Sequence, residues 1–441
     1  MDDFSSVLTK NVRNWVYMKS NSPRACRIAN SKLKTKKILA KNGVSVPHLL
    51  AIFKTQQDVV NFSWEKLEGN FVVKPVSGSG GEGILVVRKR AKWAGEWFLM
   101  DGGKVDIAFF RFHCFDALQG QFNVRGLPDK VFIEERVKIH PKFLRFTKLG
   151  TPDVRVIVFN RVPVMAMLRI PTEESNGKAN LHQGAIGLGI DLATGITTFA
   201  VHNGQLINRI YDRKRKKMIK VNGIKTPFWK KILETAVSCQ EAIPSLQYLG
   251  VDIVLDKEKG PMVLELNARP GLSIQVCNRA GLRRRLERVA GLKVRSAIHG
   301  IKIAQSLFGE SFVDRVIAKD GIKIVEVLES IRIKTGDKKR FETIAKIDTG
   351  ALRTSIDRGL ARDLGLLKPG NTLYRRHYRS ALAHQHERKV IGLTFWLRGR
   401  KIKTAVNVAN RSHLNASVLI GRRDLQGFLI RPEPVSTKIK I

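Results

Sequence analysis

The chain has 441 residues, 43% of them hydrophobic, enough for the cores of two to four globular domains, with no long low-complexity stretch. Four scattered cysteines (Cys26, Cys114, Cys239, Cys277) without CxxC spacing argue against a zinc knuckle or disulfide framework and fit a reducing compartment. No apolar run approaches the ~18 residues that span a bilayer, and Met1-Asp2-Asp3-Phe4 lacks the opening of a signal peptide, so a cytoplasmic location with no membrane partner is expected. A formal net charge of +41, of which residues 320–441 hold +15, favours polyanionic partners such as nucleic acid or an acidic polypeptide, although a basic proteome background gives the same total with no partner at all.

Asn30-Ser31 predicts a helix N-cap, followed by a helix from Lys32 to Lys41 with Leu33, Ile38 and Leu39 as its apolar positions and Gly43 as its stop. Val44-Ser45-Val46-Pro47 leads into a short strand. Phe71–Pro75 predicts a strand that opens into Ser77-Gly78-Ser79-Gly80-Gly81-Glu82-Gly83, with the next strand at 84–87. A glycine-rich turn between two strands reads as a phosphate lid rather than a P-loop, because no helix or Gly-Lys-Ser follows. Its N–H groups can approach phosphate oxygens, since glycine has no Cβ to intervene.

Residues 131–137 predict a buried strand. Asp153–Phe159 and Val162–Ile170 predict a strand pair turning near Asn160-Arg161, and 228–242 predict a helix. An Arg-rich helix is expected over 279–289, then a poorly marked connection near 291–325. A β-rich unit starts near Ile322, with runs at 323–328, 343–347, 390–397, 401–408 and 418–420.

Between those elements lie Gly250-Val251-Asp252-Ile253-Val254-Leu255 and Val263-Leu264-Glu265-Leu266-Asn267-Ala268-Arg269-Pro270-Gly271. Two adjacent antiparallel strands would bring Asp252, Glu265 and Asn267 together, because residues two apart on a strand share a face. Two carboxylates and an amide oxygen are hard ligands suited to Mg²⁺ held between protein and nucleotide phosphates. Alone, the same residues would also suit a hairpin with polar residues on its solvent face.

The order of features decides between them. Lys32 in an N-capped helix, Lys74 before the glycine loop, Glu134-Glu135-Arg136-Val137 on a strand, then Asp252 and Glu265-x-Asn267, together resemble the ATP-grasp fold. The likeness is to the α-L-glutamate ligase-related, RimK-type proteins. It is carried further by Asn11-x-Arg13-Asn14-x-x-Tyr17, Ser31-Lys32-Leu33-Lys34-Thr35-Lys36 and Asn180-Leu181-His182-Gln183-Gly184-Ala185, and covers about residues 8–300.

The resemblance implies an α+β, two-lobed ATP-grasp fold over residues 1–300. It assigns the ATP phosphates to Lys32 and Lys74, the β- and γ-phosphates to the lid residues Ser79, Gly80, Gly81 and Gly83, and the adenine and ribose to Glu135 and the backbone of Arg136 and Val137, with Glu134 also counted as cofactor-binding. Mg²⁺, as one or two ions or with Mn²⁺ in its place, is assigned to Asp252, Glu265 and Asn267. Arg155 and Arg169 would face the acceptor region, where a bidentate guanidinium suits a carboxylate. Asn180 and His182 would complete an acyl-acceptor pocket, His182 serving either as a base or in a structural hydrogen bond. RimK-type ligases carry a further N-terminal domain, and only about 30 residues precede Lys32, which leaves substrate choice open.

After a connection over 301–321, residues 322–441 carry a second pattern. Ala345-Lys346-Ile347-Asp348-Thr349-Gly350-Ala351 ends a strand in Asp-Thr-Gly, and Val418-Leu419-Ile420-Gly421 follows. The pairing resembles retropepsin-like aspartic proteases, including the RimK-associated domain labelled "ATP-dependent zinc protease", and implies a small β-barrel. One Asp-Thr-Gly supplies one aspartate. A dyad sharing a proton would need Asp348 from each chain of a homodimer. No His-Glu-x-x-His supports the zinc label, and His384-Gln385-His386 offers too few ligands. A non-catalytic barrel for dimerisation or substrate capture remains the plainer reading.

The function expected is an ATP- and Mg²⁺-dependent ligase joining a carboxylate to an amine, with an amino acid such as glutamate and a peptide or protein, acidic in character, as substrates. Two rivals are an aspartic peptidase gated by a nucleotide-binding lobe, and an RNA- or ribosome-associated protein suited to the +41 charge. The cluster Arg213-Lys214-Arg215-Lys216-Lys217 suits an acidic peptide, RNA or a solvated loop.

Overall fold

A computed structural model describes residues 4–78, 81–92, 95–123, 126–308, 323–379, 385–411 and 414–431. The chain divides into two compact units, one of residues up to Ile190 with Gly195–Ala290, the other of Asp191–Thr194 with residues from Gly291 onward.

The first unit holds two antiparallel sheets. In the first, β1 (Leu49–Phe53), β2 (Phe71–Pro75), β3 (Leu85–Arg90), β4 (Glu96–Leu99), β5 (Lys104–Asp106) and β6 (Val131–Glu135) follow the order β1-β6-β2-β3-β4-β5. An aromatic core of Phe53, Trp64, Phe71, Trp97 and Phe110 packs behind it, and Phe110 comes from a helix at Ile107–Gln119. The Lys32–Lys41 helix forms as expected, with Ser31 Oγ accepting the Lys34 N–H as its N-cap and Gly43 just beyond its end at φ +72°.

The second sheet is built from β7 (Asp153–Phe159), β8 (Val162–Ile170), β9 (Ile186–Ile190), β10 (Thr197–His202) and β11 (Gln205–Ile207). After a separate two-stranded ribbon of β12 (Arg209–Asp212) and β13 (Lys217–Lys220), it is completed by β14 (Tyr248–Asp256) and β15 (Gly260–Asn267). Its order is β11-β10-β9-β8-β7-β14-β15. Every residue of β8 and β14 is buried, including the charged Arg169, Asp252 and Asp256 that interrupt their otherwise apolar sequences. The β7–β8 turn falls at Asn160 and Arg161, both at positive φ (51° and 58°), the geometry that tight hairpins need.

Near the end of this unit the sequence expectation needs one change. The Arg-rich helix spans Leu282–Val289 rather than starting at Arg279, because Arg279, at φ +45°, terminates a separate short helix at Ile274–Asn278.

In the second unit the stretch expected to be a poorly marked connection contains a helix, Ala297–Phe308. The strands are β16 (Lys323–Glu326), β17 (Leu328–Lys334), β18 (Arg340–Asp348), β19 (Ser355–Asp357), β20 (Thr372–Arg379), β21 (Gln385–Leu397), β22 (Arg400–Ala409), β23 (Val418–Gly421) and β24 (Phe428–Arg431). Strands β17-β18-β23-β19-β22-β21 form a continuous sheet that closes on itself through β21–β17 pairing, a six-stranded barrel with β20 added at β21. Closure removes the sheet edges of those six strands. The barrel is filled by Ile331, Ile333, Ile347, Ile356, Leu393, Phe395, Val406 and Ile420.

Candidate functional site

The register of the second sheet brings a row of charged residues together. Asp252 on β14 lies directly between Arg155 on β7 and Glu265 on β15, and Arg169 on β8 lies opposite Asp153 on β7. Pairing shifts just beyond: Asp252 faces Glu265 but Ile253 faces Val263, so Leu264 is an extra residue in β15. Such a bulge re-aims the side chains beside it, and here Glu265 and Asn267 turn toward Asp252.

Asp252, 1% exposed, is held by both guanidinium groups. Arg155 donates to both carboxylate oxygens, Nε to Oδ1 at 2.7 Å and Nη2 to Oδ2 at 2.6 Å. Arg169 makes the same fork with Asp153 at 2.6 and 2.5 Å and reaches Asp252 Oδ2 at 2.8 Å. Asn267 Nδ2 lies 3.2 Å from Asp252 Oδ2 and 3.4 Å from Glu265 Oε1.

The electrostatics follow from this crowding. Burial alone would raise the Asp252 carboxyl, but the charges of Arg155 and Arg169 outweigh it and hold the group well below the usual carboxylate range. Asp153 is pushed up to about 6 by burial and by the Asp252 charge, against the pull of Arg169. Glu265 is likewise raised by burial and by Asp252. One carboxylate of the group is kept ionised while two neighbours retain protons more strongly.

The first sheet and the Lys32–Lys41 helix contribute cations. Lys74 on β2 donates to Glu134 Oε1 at 2.5 Å, and Lys36 lies 2.7 Å from Glu134 Oε2. Lys36 also donates to the Pro47 carbonyl at 3.2 Å. Glu134 is held below its ordinary value, the two lysines outweighing its burial. Lys32 donates to the Gly78 carbonyl, and its ammonium is lowered by burial, with Glu265 opposing and Lys74 adding to the shift. Lys32 is thus within electrostatic reach of both charge groups.

Gly78 also bridges to Asn123, and Ser77 binds Asp129 through its N–H at 2.7 Å and its hydroxyl at 3.0 Å, which fixes the start of the glycine-rich turn. Gly83 sits at φ +68°, and a Cβ there would lie 2.5 Å from Phe122, so glycine is required on both counts. Gly81, at φ +80°, lies beside the Lys178 side chain. Ser79 and Gly80 lie outside the described residues.

The remaining expected residues fall as follows. Glu135 accepts from the His48 N–H at 3.0 Å and from Lys259 at 2.5 Å. Arg136 donates to Asn70 Oδ1 at 2.7 Å, and Val137 packs with Val254 and Met262. Asn180 caps the short Leu181–Gln183 turn by accepting the His182 N–H at 3.1 Å, and His182 is exposed. Neither makes a hydrogen bond to the Arg155–Arg169 group among the described residues. Arg13 donates to the Pro270 carbonyl and Tyr17 packs edge-on to Phe159, so this early motif docks the N-terminal segment.

In the second unit, Asp348 closes β18 and lies opposite Gly421 of β23 in a parallel pair. Its Oδ1 accepts the N–H groups of Gly350 at 2.8 Å and Ala351 at 3.1 Å. Asp424, raised by burial, accepts the Thr354 hydroxyl at 2.5 Å. His384 lies outside the described residues.

Two residues were given no role by the sequence reading, although it quoted both. Lys36 lies four positions after Lys32, hence on the same helix face, and that spacing could have marked it. Asp153 lies two positions before Arg155, hence on the same strand face.

Donors and oxygens fit a Mg²⁺-nucleotide: Asp252, Glu265 and Asn267 carry hard oxygen atoms, and beside them three lysines, Lys32, Lys36 and Lys74, exceed the charge of the one carboxylate, Glu134, that pairs with two of them. No cluster of three or more His, Cys, Asp or Glu suited to a metal occurs among the described residues; the present set combines two carboxylates with an amide.

Two antiparallel sheets with this convergence of lysines, carboxylates and amide define an ATP-grasp protein. The chain belongs to the sugar-transfer-associated ATP-grasp family, which matches residues 12–291. No curated protein compared with it matches. Among solved structures it is similar to the protein Lpg0085 of unknown function from Legionella pneumophila, at 20% identity over 25% of this chain and 93% of that one (TM-score 0.18). D-cycloserine synthetase DcsG is similar at 14% identity over 62% of this chain and 72% of that one (TM-score 0.35). An L-amino acid ligase from Bacillus licheniformis is similar at 14% identity over 60% of this chain; the chain spans 50% of that ligase (TM-score 0.35).

Proposed function

We propose that the chain is an ATP- and Mg²⁺-dependent carboxylate–amine ligase related to the RimK-type glutamate ligases. The observation that carries this reading is Asp252, Glu265 and Asn267 gathered within reach of Lys32 and of the Arg155–Arg169 pair.

A carboxylate is a poor electrophile. Attack of its oxygen on the γ-phosphorus of ATP forms an acyl phosphate and releases ADP. An amine then attacks the acyl carbon, phosphate leaves, and the amine proton passes to a base, the role offered for His182. Lys32 and Lys74 meet phosphate oxygens as point charges, with Glu134 and Lys36 fixing the direction of Lys74. Glu135, Arg136 and Val137 line the adenine and ribose, and the loop at 77–83 excludes water. Mg²⁺, when bound at Asp252, Glu265 and Asn267, supplies charge neutralisation for the transferring group. Were a cation held at Asp252, the side chains of Arg155 and Arg169, which now donate to that carboxylate, would have guanidinium donors to offer a substrate carboxylate. Cytoplasmic location belongs to the same proposal.

The test is ADP release by the purified full chain with Mg²⁺-ATP across amino acids, glutamyl peptides, acidic proteins and, because the family is described as sugar-transfer-associated, amino sugars. ADP release that requires one substrate and disappears in Glu265→Ala supports a ligase and names its class. Binding of ATP with no stimulation by any substrate points instead to a nucleotide-gated regulator.

A second activity is favoured by one observation, the pairing of Asp348 with Gly421 at the ends of β18 and β23. It supports a retropepsin-like domain over 322–441, with a water activated between Asp348 of two copies. Peptide cleavage that falls with dilution of the protein and is lost in Asp348→Asn is expected; cleavage independent of concentration contradicts the two-copy dyad.

A further inference from the structure

The β12–β13 ribbon carries seven cations in twelve residues: Arg209, Arg213, Lys214, Arg215, Lys216, Lys217 and Lys220. Its single acid, Asp212, is fully buried and turned inward to Arg145, and Arg215 reaches it only at 3.8 Å. The other six cations make no ion pair within 4.0 Å among the described residues, although Glu173 feels the charge of Arg213. Arg209 lies directly opposite Lys220, an arrangement of like charges that destabilises a strand pair.

The ribbon is nonetheless anchored on one side. Ile210 is buried on its inner face, and the Arg213 N–H donates to the Arg145 carbonyl at 2.9 Å. On the outer face Tyr211 lies opposite Met218, the two being 50% and 49% exposed. The outer face therefore presents a cationic row (Arg209, Lys220), then an aromatic and thioether row (Tyr211, Met218), then the cationic turn 213–217. Adjacent rows on one face are about 7 Å apart, twice the rise per residue of a strand.

We propose that this outer face binds single-stranded RNA, with a base stacked on Tyr211 and phosphates on the flanking cations. Alternating aromatic and cationic rows match a polymer that alternates planar bases with phosphates. A polycarboxylate would meet the cations but has nothing planar for the Tyr211–Met218 row. Duplex DNA keeps its bases stacked inside, and a ribbon whose inner face is packed down cannot enter a major groove as free ribbons do. The surface is independent of the ligase reading.

The test is fluorescence anisotropy of a labelled 12-nucleotide single-stranded RNA with the full chain over a range of salt. Competing arms use a 12-base-pair DNA duplex and a poly-glutamate peptide. Tyr211→Ala, which changes no charge, is expected to weaken RNA binding about tenfold. Arg209→Gln/Lys220→Gln is expected to lower the steepness of log K against log salt by about 1.4, the value for two lost phosphate contacts. Lys54→Gln/Lys66→Gln, exposed cations outside the ribbon, should leave affinity unchanged. Unfolding temperatures of all variants report on folding.

Four outcomes overturn the proposal. These are no RNA binding, affinity unmoved by Tyr211→Ala, a loss in the Lys54/Lys66 variant equal to that in the Arg209/Lys220 variant, and displacement of RNA by poly-glutamate at lower concentration than by unlabelled RNA. The last would assign the face to an acidic polypeptide.

Discussion

Asp252 and Asp348 are both aspartates at sites of expected chemistry, and their surroundings are opposite. Asp252 is buried and met by side chains from β7, β8 and β15, up to 97 residues away in sequence. Asp348 is partly exposed and held by two N–H groups of its own turn. A buried charge persists only where tertiary register supplies its partners; a turn aspartate forms with its strand end alone. One centre gathers its charged groups within a single chain, while a dyad at the other needs a second copy.

The largest effects should therefore fall on the first centre. Arg169→Met, which strips one fork from Asp153 and one contact from Asp252, is expected to destabilise the first unit by about 3–5 kcal/mol, read from urea unfolding followed by a probe in that unit. Glu134→Ala, leaving Lys36 buried without its carboxylate, should cost a similar amount. Equality of either variant with wild type would mean that these charges are solvated and the contrast with Asp348 is false.

The acid dependence sharpens the same point. Glu134 has a folded value below its ordinary one, so its contribution to stability is present in full above about pH 4.5 and is lost as pH falls through the lower folded value. Comparing Glu134→Gln with wild type by thermal unfolding between about pH 7 and pH 3 should show a gap that narrows on acidification. A gap that widens would reverse the sign.

Lys36→Met tests positioning. It removes the partner that fixes Glu134 and so loosens Lys74, and KM for ATP should rise about tenfold with partial rescue by Lys36→Arg. A change confined to stability would leave Lys36 a structural residue. In the barrel the expected effects are smaller: about 1–3 kcal/mol for Thr354→Val, which leaves the buried Asp424 carboxyl without that hydroxyl, and about 1 kcal/mol or less for Asp348→Asn.

Much of the first centre was legible because it depends on period-2 alternation. β7 and β8 have the bounds that their apolar runs predict, and the facing of Asp252 and Glu265 follows from two adjacent strands. The extra residue at Leu264 was not legible, since a bulge leaves no composition signal in an apolar run. The helix at Ile107–Gln119 escaped notice because Phe109, Phe110, Phe112 and Phe115 put aromatics on several faces and blur the 3.6 period. β19 is three residues long and is fixed by β22 and β23, so nothing local announces it. The forks of Arg155 and Arg169 could not be read either, because guanidinium partners depend on cross-strand register.

The most direct measurement is calorimetric titration of the full chain with a non-hydrolysable ATP analogue, in Mg²⁺ and in EDTA, for wild type, Lys74→Met and Asp252→Asn. Binding that needs Mg²⁺ and is weakened in both variants is predicted if the lysines and the carboxylates grip one nucleotide. Absence of binding, or binding indifferent to Mg²⁺ and to Asp252→Asn, would contradict the nucleotide site itself.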